Sequence, residues 1–448
     1  MRTIHLLLLS SLLAHHLFAA GFRAGVSRVK ITPEAAIRLS GYANRTHASE
    51  GVQQDLWAKG LALDDGKKGR VVIVTTDLIG LPRSLSDVVA ARVLKQHGLE
   101  RSQLLLNSSH THAGPIVRPN LITMFMLSPE EEQVIQQYAQ KLTDDLVSAV
   151  GAALGDLEPA KMTYGAGKAG FAINRRQATP KGVVIGINPD GPVDHTVPVL
   201  KIAKTNGAVK AVLFGYACHN TTLGGDFYRV SGDYAGAAQQ EIEKAIPGAS
   251  AMFLMLAGAD QNPKPRGKLE DVQAHGQALA DEVVRVLAAK QAPVGGPIRT
   301  AFAVTELALA SHTREQFERM KSDANRIKAK LAGEMLRAYD ERRPLRSVPY
   351  PVQALRLGKD FLVLALGGEV VVDYDLRAKR EFPKQRLIFA GYSNDVMSYI
   401  PSVRVLKEGG YEAVDSMIYY GLPGPYAPEV EETIFTTIHQ VTKRVGIP

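Results

Sequence analysis

Two histidines separated by a single residue stand where an apolar run meets a turn. The run at 104–106 is followed by a polar stretch that contains His110 and His112. In an extended backbone, residues i and i+2 point to the same side, so both imidazoles can converge on one metal ion. Two polar residues at a strand end that bond to backbone and water would give the same pattern. The pair alone leaves both interpretations open.

A third histidine, His219, follows the apolar run at 212–218 in a similar position between a strand and a loop. Functional loops of α/β proteins lie at the ends of strands, and three histidines would give Zn²⁺ a nitrogen-rich site with a position left for water. Taken by itself, His219 is also compatible with a structural role. Cys218 would face away from His219 in extended backbone, so we interpret it as a buried small hydrophobe. The other histidines outside the N-terminal stretch are interpreted as surface or structural residues. Among them, His195 precedes a predicted strand and is the one for which a position in the site stays open.

Short continuous apolar runs predict the strands that carry these residues, because strands buried on both faces lack polar alternation. They lie at 71–74, 104–106, 197–202, 211–214, 252–255, 361–366 and 387–389. Ser128, Pro129 and Glu131 are typical of a helix start, and apolar residues then recur every four positions to residue 150. Further helices are predicted near 234–246, 269–290 and 313–340.

The alternation of strands and helices predicts an α/β fold with layered mixed sheets and flanking helices in one large domain. The Pro/Gly-rich stretch at 292–297 is the best candidate for a linker, but it does not indicate a domain boundary. No internal repeat supports a solenoid or a propeller.

The formal charge is +8, and removal of a leader that contains Arg2 would leave +7. No run of five basic residues occurs and the aromatic content is only 6%, so nucleic acid is not expected as a partner. Contact with a membrane surface or a lipid headgroup stays open, and nothing indicates an oligomeric state. Cys218 is the only cysteine, which excludes an intramolecular disulfide.

The N-terminus has the order of a secretory signal peptide. Arg2 precedes an apolar stretch at 6–18, and the small residues Ala19, Ala20 and Gly21 follow it. We therefore expect a signal peptide at 1–21, a catalytic domain at 22–448, and a secreted or periplasmic protein.

Several ordered blocks together resemble the catalytic domain of the neutral, non-lysosomal ceramidases and their shorter bacterial relatives. The resemblance runs from about residue 25 to residue 412. The matching blocks are Gly41-Tyr42-Ala43, GVQQDLWA at 51–58, TDLIG at 76–80, HTHAGP at 110–115, Asn174-Arg175, ACH at 217–219, SGD at 231–233, Gly368-Glu369 and Tyr411-Glu412.

The resemblance implies one Zn²⁺ per chain, with a ligand set of five residues. These are His110, His112, His219, Glu369 and Tyr399. Nitrogen and carboxylate donors suit Zn²⁺, which lowers the pKa of a bound water toward 7. Arg175 and Tyr411 match family positions that are expected to stabilise the oxyanion. A surface cation and a buried aromatic are the alternatives for those two residues.

One departure from the family concerns its Gly-Asp-x-Ser-Pro block, which supplies a serine near the metal. Here the residues at 258–263 read GADQNP, so Asp260 and Pro263 keep the turn while Gln261 or Asn262 stands about where the serine belongs. Attack by metal-activated water is therefore preferred to a serine nucleophile. Gln261, next to Asp260 in this turn, could donate a hydrogen bond to the substrate. Alternatively, the segment could be an Asx/Pro turn that only stabilises the loop.

The second departure is the β-sandwich module that follows the catalytic domain in ceramidases, since only about 36 residues follow Glu412 here. We therefore expect smaller, more soluble N-acyl substrates than long-chain ceramides. The leading hypothesis is a zinc amide hydrolase that acts on ceramide or a related N-acyl lipid or amine. The alternatives are a zinc hydrolase of esters, phosphoesters or cell-wall amides, and a relative that binds lipid or glycan without cleavage.

Overall fold

The computed structural model describes residues 22–448, so the predicted signal peptide lies outside the described residues. It stays a prediction that the N-terminal mass of the exported protein would test. The strands, in chain order, are β1 (Arg23–Lys30), β2 (Trp57–Asp64), β3 (Arg70–Thr76), β4 (Leu104–Ser108), β5 (Glu158–Lys168), β6 (Ala172–Thr179), β7 (Gly182–Asn188), β8 (Thr196–Lys204), β9 (Val209–Tyr216), β10 (Ser250–Met255), β11 (Gln261–Pro263), β12 (Ala292–Val294), β13 (Ile298–Ala308), β14 (Ser347–Leu357), β15 (Phe361–Leu366), β16 (Glu369–Val370), β17 (Arg386–Ala390) and β18 (Tyr399–Ile400).

The helices, in chain order, are α1 (Arg83–His97), α2 (Pro129–Gly155), α3 (Asp233–Ala245), α4 (Leu269–Ala288), α5 (Arg314–Met320), α6 (Arg326–Asp340), α7 (Asp373–Glu381), α8 (Val403–Glu408) and α9 (Val430–Arg444). Helices α2, α3 and α4 lie close to predicted positions, whereas α1, α7, α8 and α9 were not predicted. The single helix predicted at 313–340 is wrong, because α5 and α6 are separate. The Asn325 side chain accepts hydrogen bonds from the backbone N–H groups of Ile327 and Lys328, which starts a new helix there.

Two mixed sheets form the centre of the molecule. The larger has the strand order β10-β9-β8-β5-β1-β2-β3-β4, with β12 paired to β5, and the smaller has the order β13-β14-β15-β17. Strands β3 and β4 are parallel, as are β9 and β10 and also β15 and β17. The stretch at 292–297 is therefore not a free linker, since its first residues form β12 before the chain enters the smaller sheet.

Alternation along the strands shows how the layers stack. In the larger sheet, Val72 and Leu106 pack in a core with residues of α2, whereas Ile73 and Leu105 pack with residues of β14 and β15. On the other face of the smaller sheet, Leu364 packs with residues of α9. The two sheets thus lie face to face, with helices on both outer surfaces. This arrangement confirms the predicted α/β fold of layered mixed sheets with flanking helices.

Most of the predicted site residues lie in the segments, loops or short strands, that follow the carboxyl ends of longer strands. His110 follows β4, His219 follows β9, the segment with Asp260 follows β10, and Glu369 follows β15. Within the described part of the chain, no helix is both long enough and apolar enough to cross a membrane.

Candidate active site

His110 lies in a strained loop and not in an extended strand. Its φ is 62°, in the left-handed region that residues with a side chain rarely adopt. Its backbone N–H donates to Leu78 O at 2.8 Å, and its Nδ1 bonds to Ile79 O at 2.6 Å. The expectation that extended backbone brings His110 and His112 together is therefore wrong in its geometry. A turn brings the two rings to a centroid separation of 4.7 Å.

The three histidine side chains converge through their Nε2 atoms. His110 Nε2 lies 3.1 Å from His112 Nε2 and 3.1 Å from His219 Nε2. His219 Nδ1 bonds to Gly258 O at 3.0 Å, just as His110 Nδ1 bonds to Ile79 O. A carbonyl accepts a proton from the nitrogen that faces it, so in both rings the proton sits on Nδ1 and the Nε2 lone pair points into the cluster.

Glu369 adds a carboxylate oxygen to these lone pairs. Its Oε2 lies 3.0 Å from His110 Nε2 and 3.1 Å from His219 Nε2. Burial, followed by the charge of Arg175, lowers the pKa of His219 to about 3, so that ring carries no charge at neutral pH. Glu369 Oε2 is therefore a buried acceptor without a donor in the described chain. Lone pairs that face one another without a proton between them need a cation.

The donor set fits a metal ion. The ligand atoms of His110, His112 and His219 lie within 4.8 Å of one another, a spacing that could hold an ion. Glu369 and Tyr399 are direct partners in the parallel pairing of β16 and β18, which brings both side chains to the same place. The Tyr399 hydroxyl lies 3.1 Å from His219 Nε2. All five predicted ligands are thus brought together.

Tyr420 holds the carboxylate of Glu369 from the side away from the histidines. The Tyr420 hydroxyl donates a short hydrogen bond to Glu369 Oε1, which leaves Oε2 turned toward the imidazoles. Burial raises the pKa of Tyr420 well above its ordinary value, so the phenol keeps its proton. Sequence reasoning missed this residue, because a tyrosine at the end of a short 3-10 helix, next to another tyrosine, carries no spacing signal.

Gly41 allows His112 to lie against the backbone. A Cβ at this position, where φ is 91°, would lie 2.3 Å from His112 Nδ1. Any side chain here would push the ring out of the cluster. Of the three histidines, only His112 lines the cavity next to the cluster. His110 and His219 are fully buried.

Arg175 lies beside the cluster at an irregularity in the pairing of β6 and β7, a feature that re-aims side chains. Its Nη2 donates to the Tyr399 hydroxyl at 3.0 Å and its Nη1 to Asn262 Oδ1 at 3.3 Å. Its Nε donates to Glu412 Oε1 at 2.7 Å. Burial opposes the charge of Arg175, but Tyr399 and Glu412 outweigh it and hold the pKa well above the ordinary value.

A cavity of about 240 Å³ opens onto this group. Tyr411 lines it, with its ring 5.3 Å from that of Tyr399. Burial, then the charge of Glu369, raises the pKa of Tyr411, so its hydroxyl stays protonated and can donate. Arg175 and Tyr411 thus both face the space next to the histidines.

Gln261 is not placed for the role expected of it. Its Oε1 accepts from Asp194 N at 3.1 Å and its Nε2 donates to Ala257 O at 3.2 Å, and the side chain is fully buried. Asn262 lines the cavity instead. Its Oδ1 accepts from Arg175 and from the Thr221 hydroxyl. Neighbouring residues in a strand point to opposite faces, which explains why one faces the cavity and the other does not.

Asp260 also points away from the cavity. Its Oδ1 accepts from Val372 N at 2.9 Å and its Oδ2 from Asn174 Nδ2 at 3.3 Å. Burial raises the pKa of Asp260 to about 7. His195 is not part of the cluster, and its Nε2 bonds to Ala172 O at 2.9 Å. Cys218 is fully buried in a hydrophobic core, in agreement with its interpretation as a small hydrophobe.

The chain is similar in sequence to known proteins. Residues 22–292 match the family described as "Neutral/alkaline non-lysosomal ceramidase, N-terminal". The neutral ceramidase of Mycobacterium tuberculosis is 24% identical over 267 residues, which are 53% of this chain and 40% of that protein. The neutral ceramidase of Drosophila melanogaster is 28% identical over 102 residues, which are 22% of this chain and 14% of that protein.

The fold is similar to that of a solved structure, the neutral ceramidase from Pseudomonas aeruginosa. The TM-score is 0.72 at 19% identity, with 96% of this chain and 75% of that chain covered. The matched segments span less than half the length of the curated relatives.

Proposed function

The chain belongs to the neutral/alkaline non-lysosomal ceramidase family, and from that premise we propose that it is a zinc-dependent hydrolase of N-acyl amides. Its substrate is ceramide or a related N-acyl lipid or amine. The reaction consumes one water molecule, breaks the amide C–N bond and releases a carboxylic acid and an amine. The observation that carries the proposal is the convergence of unprotonated Nε2 atoms and Glu369 Oε2 at the foot of a cavity lined by Arg175.

Zinc is the proposed ion because three imidazoles, one carboxylate and one phenol oxygen are donors that it accepts. His110, His112, His219, Glu369 and Tyr399 would hold it. When bound, zinc would lower the pKa of a water molecule toward 7 and polarise a carbonyl group.

Arg175 and Tyr411 are proposed to stabilise the negative charge that develops on the substrate oxygen. Arg175 is fixed by Glu412, Tyr399 and Asn262, so its remaining N–H groups need little reorganisation when the charge appears. The Tyr411 hydroxyl retains its proton at neutral pH because burial raises its pKa. Each hydrogen-bond donor that is already positioned near a developing oxyanion raises kcat by about 10²- to 10³-fold.

Asn262 is proposed to orient the substrate, in place of Gln261. Its Oδ1 is occupied by Arg175 and Thr221. Its Nδ2 has no hydrogen-bond partner within residues 22–448 and is free to donate into the cavity. A carboxamide is not a nucleophile, so the acyl group is not transferred to this side chain.

The decisive experiment is mass spectrometry of the products after incubation with ceramide and shorter N-acyl amides, with and without a chelator. Release of fatty acid and free amine that stops on chelation and returns with zinc is the expected result. Cleavage of esters or phosphoesters but of no amide would assign another hydrolase class. Binding of the amides without turnover by the zinc-loaded protein would make it a non-catalytic relative.

A further inference from the structure

The two sides of the cavity differ in chemistry. On the His112 side, the Tyr42 ring lies edge-on to the His112 ring at a centroid separation of 4.9 Å. The Tyr42 hydroxyl donates to Leu223 O at 2.7 Å and accepts from Arg266 Nη2 at 3.1 Å. Arg266 lines the cavity. A guanidinium group therefore stands one aromatic side chain away from the histidine cluster.

The loop that carries Arg266 is held at three points. The backbone N–H of Lys264 donates to Phe171 O at 2.8 Å, and that of Gly267 donates to Thr222 O at 2.8 Å. His275 Nε2 bonds to Pro265 O at 2.7 Å. The guanidinium is thus presented by an ordered loop, which lowers the entropy lost when it binds a partner.

Arg266 has no anionic partner in the described chain. Arg266 is exposed, no carboxylate of residues 22–448 forms an ion pair with it, and its hydrogen bond within these residues goes to the Tyr42 hydroxyl. The other cation of the cavity, Arg175, is matched by Glu412, and no acidic residue lines the cavity. Asp233, whose carboxyl group feels the charge of Arg266, is buried and accepts from the backbone N–H groups of Leu223 and Tyr234.

On the Tyr399 side, aromatic and aliphatic side chains line the cavity in addition to Arg175 and Asn262. Tyr411 packs against Tyr399, and Ile185 of β7 lines the cavity there while 49% of its surface remains exposed. Val184 and Ile187 of the same strand are also about half exposed. An exposed aliphatic strand at a cavity mouth suits a hydrocarbon chain.

We infer that the amine half of the substrate carries an anionic group, which Arg266 binds while the acyl chain lies along β7. The inference rests on the proposed amide hydrolase function and narrows its substrate class. A neutral amino alcohol such as that of ceramide would offer the guanidinium hydroxyl acceptors but no negative charge. An N-acyl amino acid or an N-acyl aminoalkyl phosphate would each supply an oxyanion that a guanidinium can bind through two hydrogen bonds.

The experiment compares three amides with the same acyl chain, using the zinc-loaded protein. N-lauroylglycine offers a carboxylate, N-lauroyl-O-phosphoethanolamine a phosphate, and N-lauroylethanolamine a neutral hydroxyl. We expect kcat/KM for the better anionic amide to exceed that for the neutral amide by about tenfold or more. The preferred amide shows whether the anionic group of the substrate is a carboxylate or a phosphate.

The variant Arg266→Gln should lower the ratio of anionic to neutral kcat/KM by about tenfold to a hundredfold. Lys264→Gln is the matched control, since it removes a positive charge from the same loop at a side chain that does not line the cavity. It should leave the ratio within about twofold of wild type, because a distant exposed charge is screened.

The inference is overturned if wild type prefers the neutral amide, or if both variants change the ratio equally. Failure of the broader proposal has a different signature, because no amide would then be cleaved by any variant. In that case calorimetric titration of the zinc-loaded protein with N-lauroylglycine still tests the subsite. Equal affinity of wild type and Arg266→Gln for N-lauroylglycine would reject it.

Discussion

Backbone carbonyl groups determine which ring nitrogen of His110 and of His219 carries the proton. Ile79 O and Gly258 O each accept from the Nδ1 of a histidine. This fixes the tautomer that turns Nε2 toward Glu369. The His-x-His spacing was therefore a sound indicator of a site, although the extended geometry assumed for it was wrong. The left-handed φ of His110 follows from loop contacts that no spacing rule contains.

Replacing ligands should have a different effect from replacing oxyanion donors. His110→Ala, His112→Ala or His219→Ala should abolish both zinc retention and catalysis, because the remaining ligands cannot re-form the lost bond. Arg175→Ala and Tyr411→Phe should keep zinc near the wild-type content while kcat falls about a hundredfold to a thousandfold. Elemental analysis and amide-release kinetics on all five proteins measure the contrast.

Circular dichroism of the same five proteins serves as the folding control. Wild-type turnover by Arg175→Ala and Tyr411→Phe would show that the donor assignment is wrong. A histidine variant that keeps full zinc and activity would remove that residue from the ligand set.

Tyr420 should act on the metal through Glu369. Tyr420→Phe removes the hydroxyl that holds Glu369 Oε1, and such supporting contacts are worth about tenfold to a hundredfold in metal affinity. We expect zinc to bind that much more weakly, as measured by competition with a fluorescent chelator. Tyr419→Phe, the neighbouring tyrosine, is the matched control. Equal zinc affinity of both variants would refute the positioning role.

Substitution of Asn262 should mainly lower kcat/KM, whereas substitution of Gln261 should mainly lower the free energy of unfolding. Asn262→Ala should reduce kcat/KM about tenfold to a hundredfold with little change in stability, since its side chain faces the cavity. Gln261→Ala leaves Asp194 N and Ala257 O without their buried partner. It should mainly lower the free energy of unfolding, by about 1 to 3 kcal/mol. Kinetics and urea unfolding on both variants test the assignment, and a reversed pattern would restore Gln261 as the substrate contact.

Single buried side chains join the elements that carry the site. Asn107, near the end of β4, accepts from Met255 N at 2.9 Å and donates to Gly391 O at 2.8 Å. One amide thus ties β4 to the end of β10 and to the loop after β17. The histidine loop and the loop with Asp260 are therefore fixed relative to each other across the gap between the edge strands.

Glu412 anchors the turn that carries Tyr411 to strand β6. It accepts from Arg175 at 2.7 Å and from Arg176 at 2.5 Å. Burial raises the pKa of Glu412, but the two guanidinium groups bring it below the ordinary value of 4.5. A lowered folded-state pKa stabilises the fold fully above the unfolded-state pKa, and this contribution is lost as the pH falls through the folded-state pKa.

Glu412→Gln should therefore destabilise the protein by about 3 to 5 kcal/mol at pH 7, because two buried cations lose their shared anion. The difference in unfolding free energy between wild type and variant should be constant above roughly pH 5 and should shrink below pH 4.5. Urea unfolding between pH 3.5 and pH 7 measures it. A difference that does not change with pH would contradict the ion-pair account.

The sequence allowed prediction of those strands whose apolar residues are continuous, but not of β2 and β14, which are mostly buried although lysine, glycine, proline or glutamine interrupts their apolar residues. β3, β4, β9, β10 and β15 read as continuous apolar runs and were predicted. β5 and β13 were missed, because their burial alternates irregularly along 11 residues each and their apolar residues are interrupted by polar ones. The position of Tyr420 depends on contacts across the fold and could not be predicted from local pattern.

At the scale of the whole molecule, the cluster draws on both halves of the chain. His110 and His219 follow strands of the larger sheet, whereas Glu369 follows a strand of the smaller one. A bound ion would thus join loops of two different sheets. Because only the folded chain assembles these donors, metal binding should stabilise the fold.

Metal removal should therefore lower thermal stability as well as activity. Chelation of the wild-type protein should lower Tm by about 3 °C, since a ligand present at a hundred times its Kd stabilises the folded state by about 2.7 kcal/mol and a chain of this length unfolds with an entropy of roughly 0.9 kcal/mol per kelvin. His110→Ala, which lacks the complete cluster, should show no change in Tm on chelation. Differential scanning calorimetry provides the comparison. An unchanged wild-type Tm after proven loss of zinc would mean that the ion does not link the sheets.

The wide separation of the cluster residues along the chain also sets the order in which they are made. His219 and Tyr399 are 180 residues apart, and a ribosome that adds about 5 to 20 residues per second needs roughly 9 to 36 s to synthesise that segment. For the first 150 of these residues, until Glu369 is made, the candidate ligands are imidazole nitrogens alone, a set that copper binds more tightly than zinc does. Glu369 and Tyr399 are synthesised after the three histidines. The complete ligand set, and any selectivity for zinc that depends on it, therefore exists only in the finished protein.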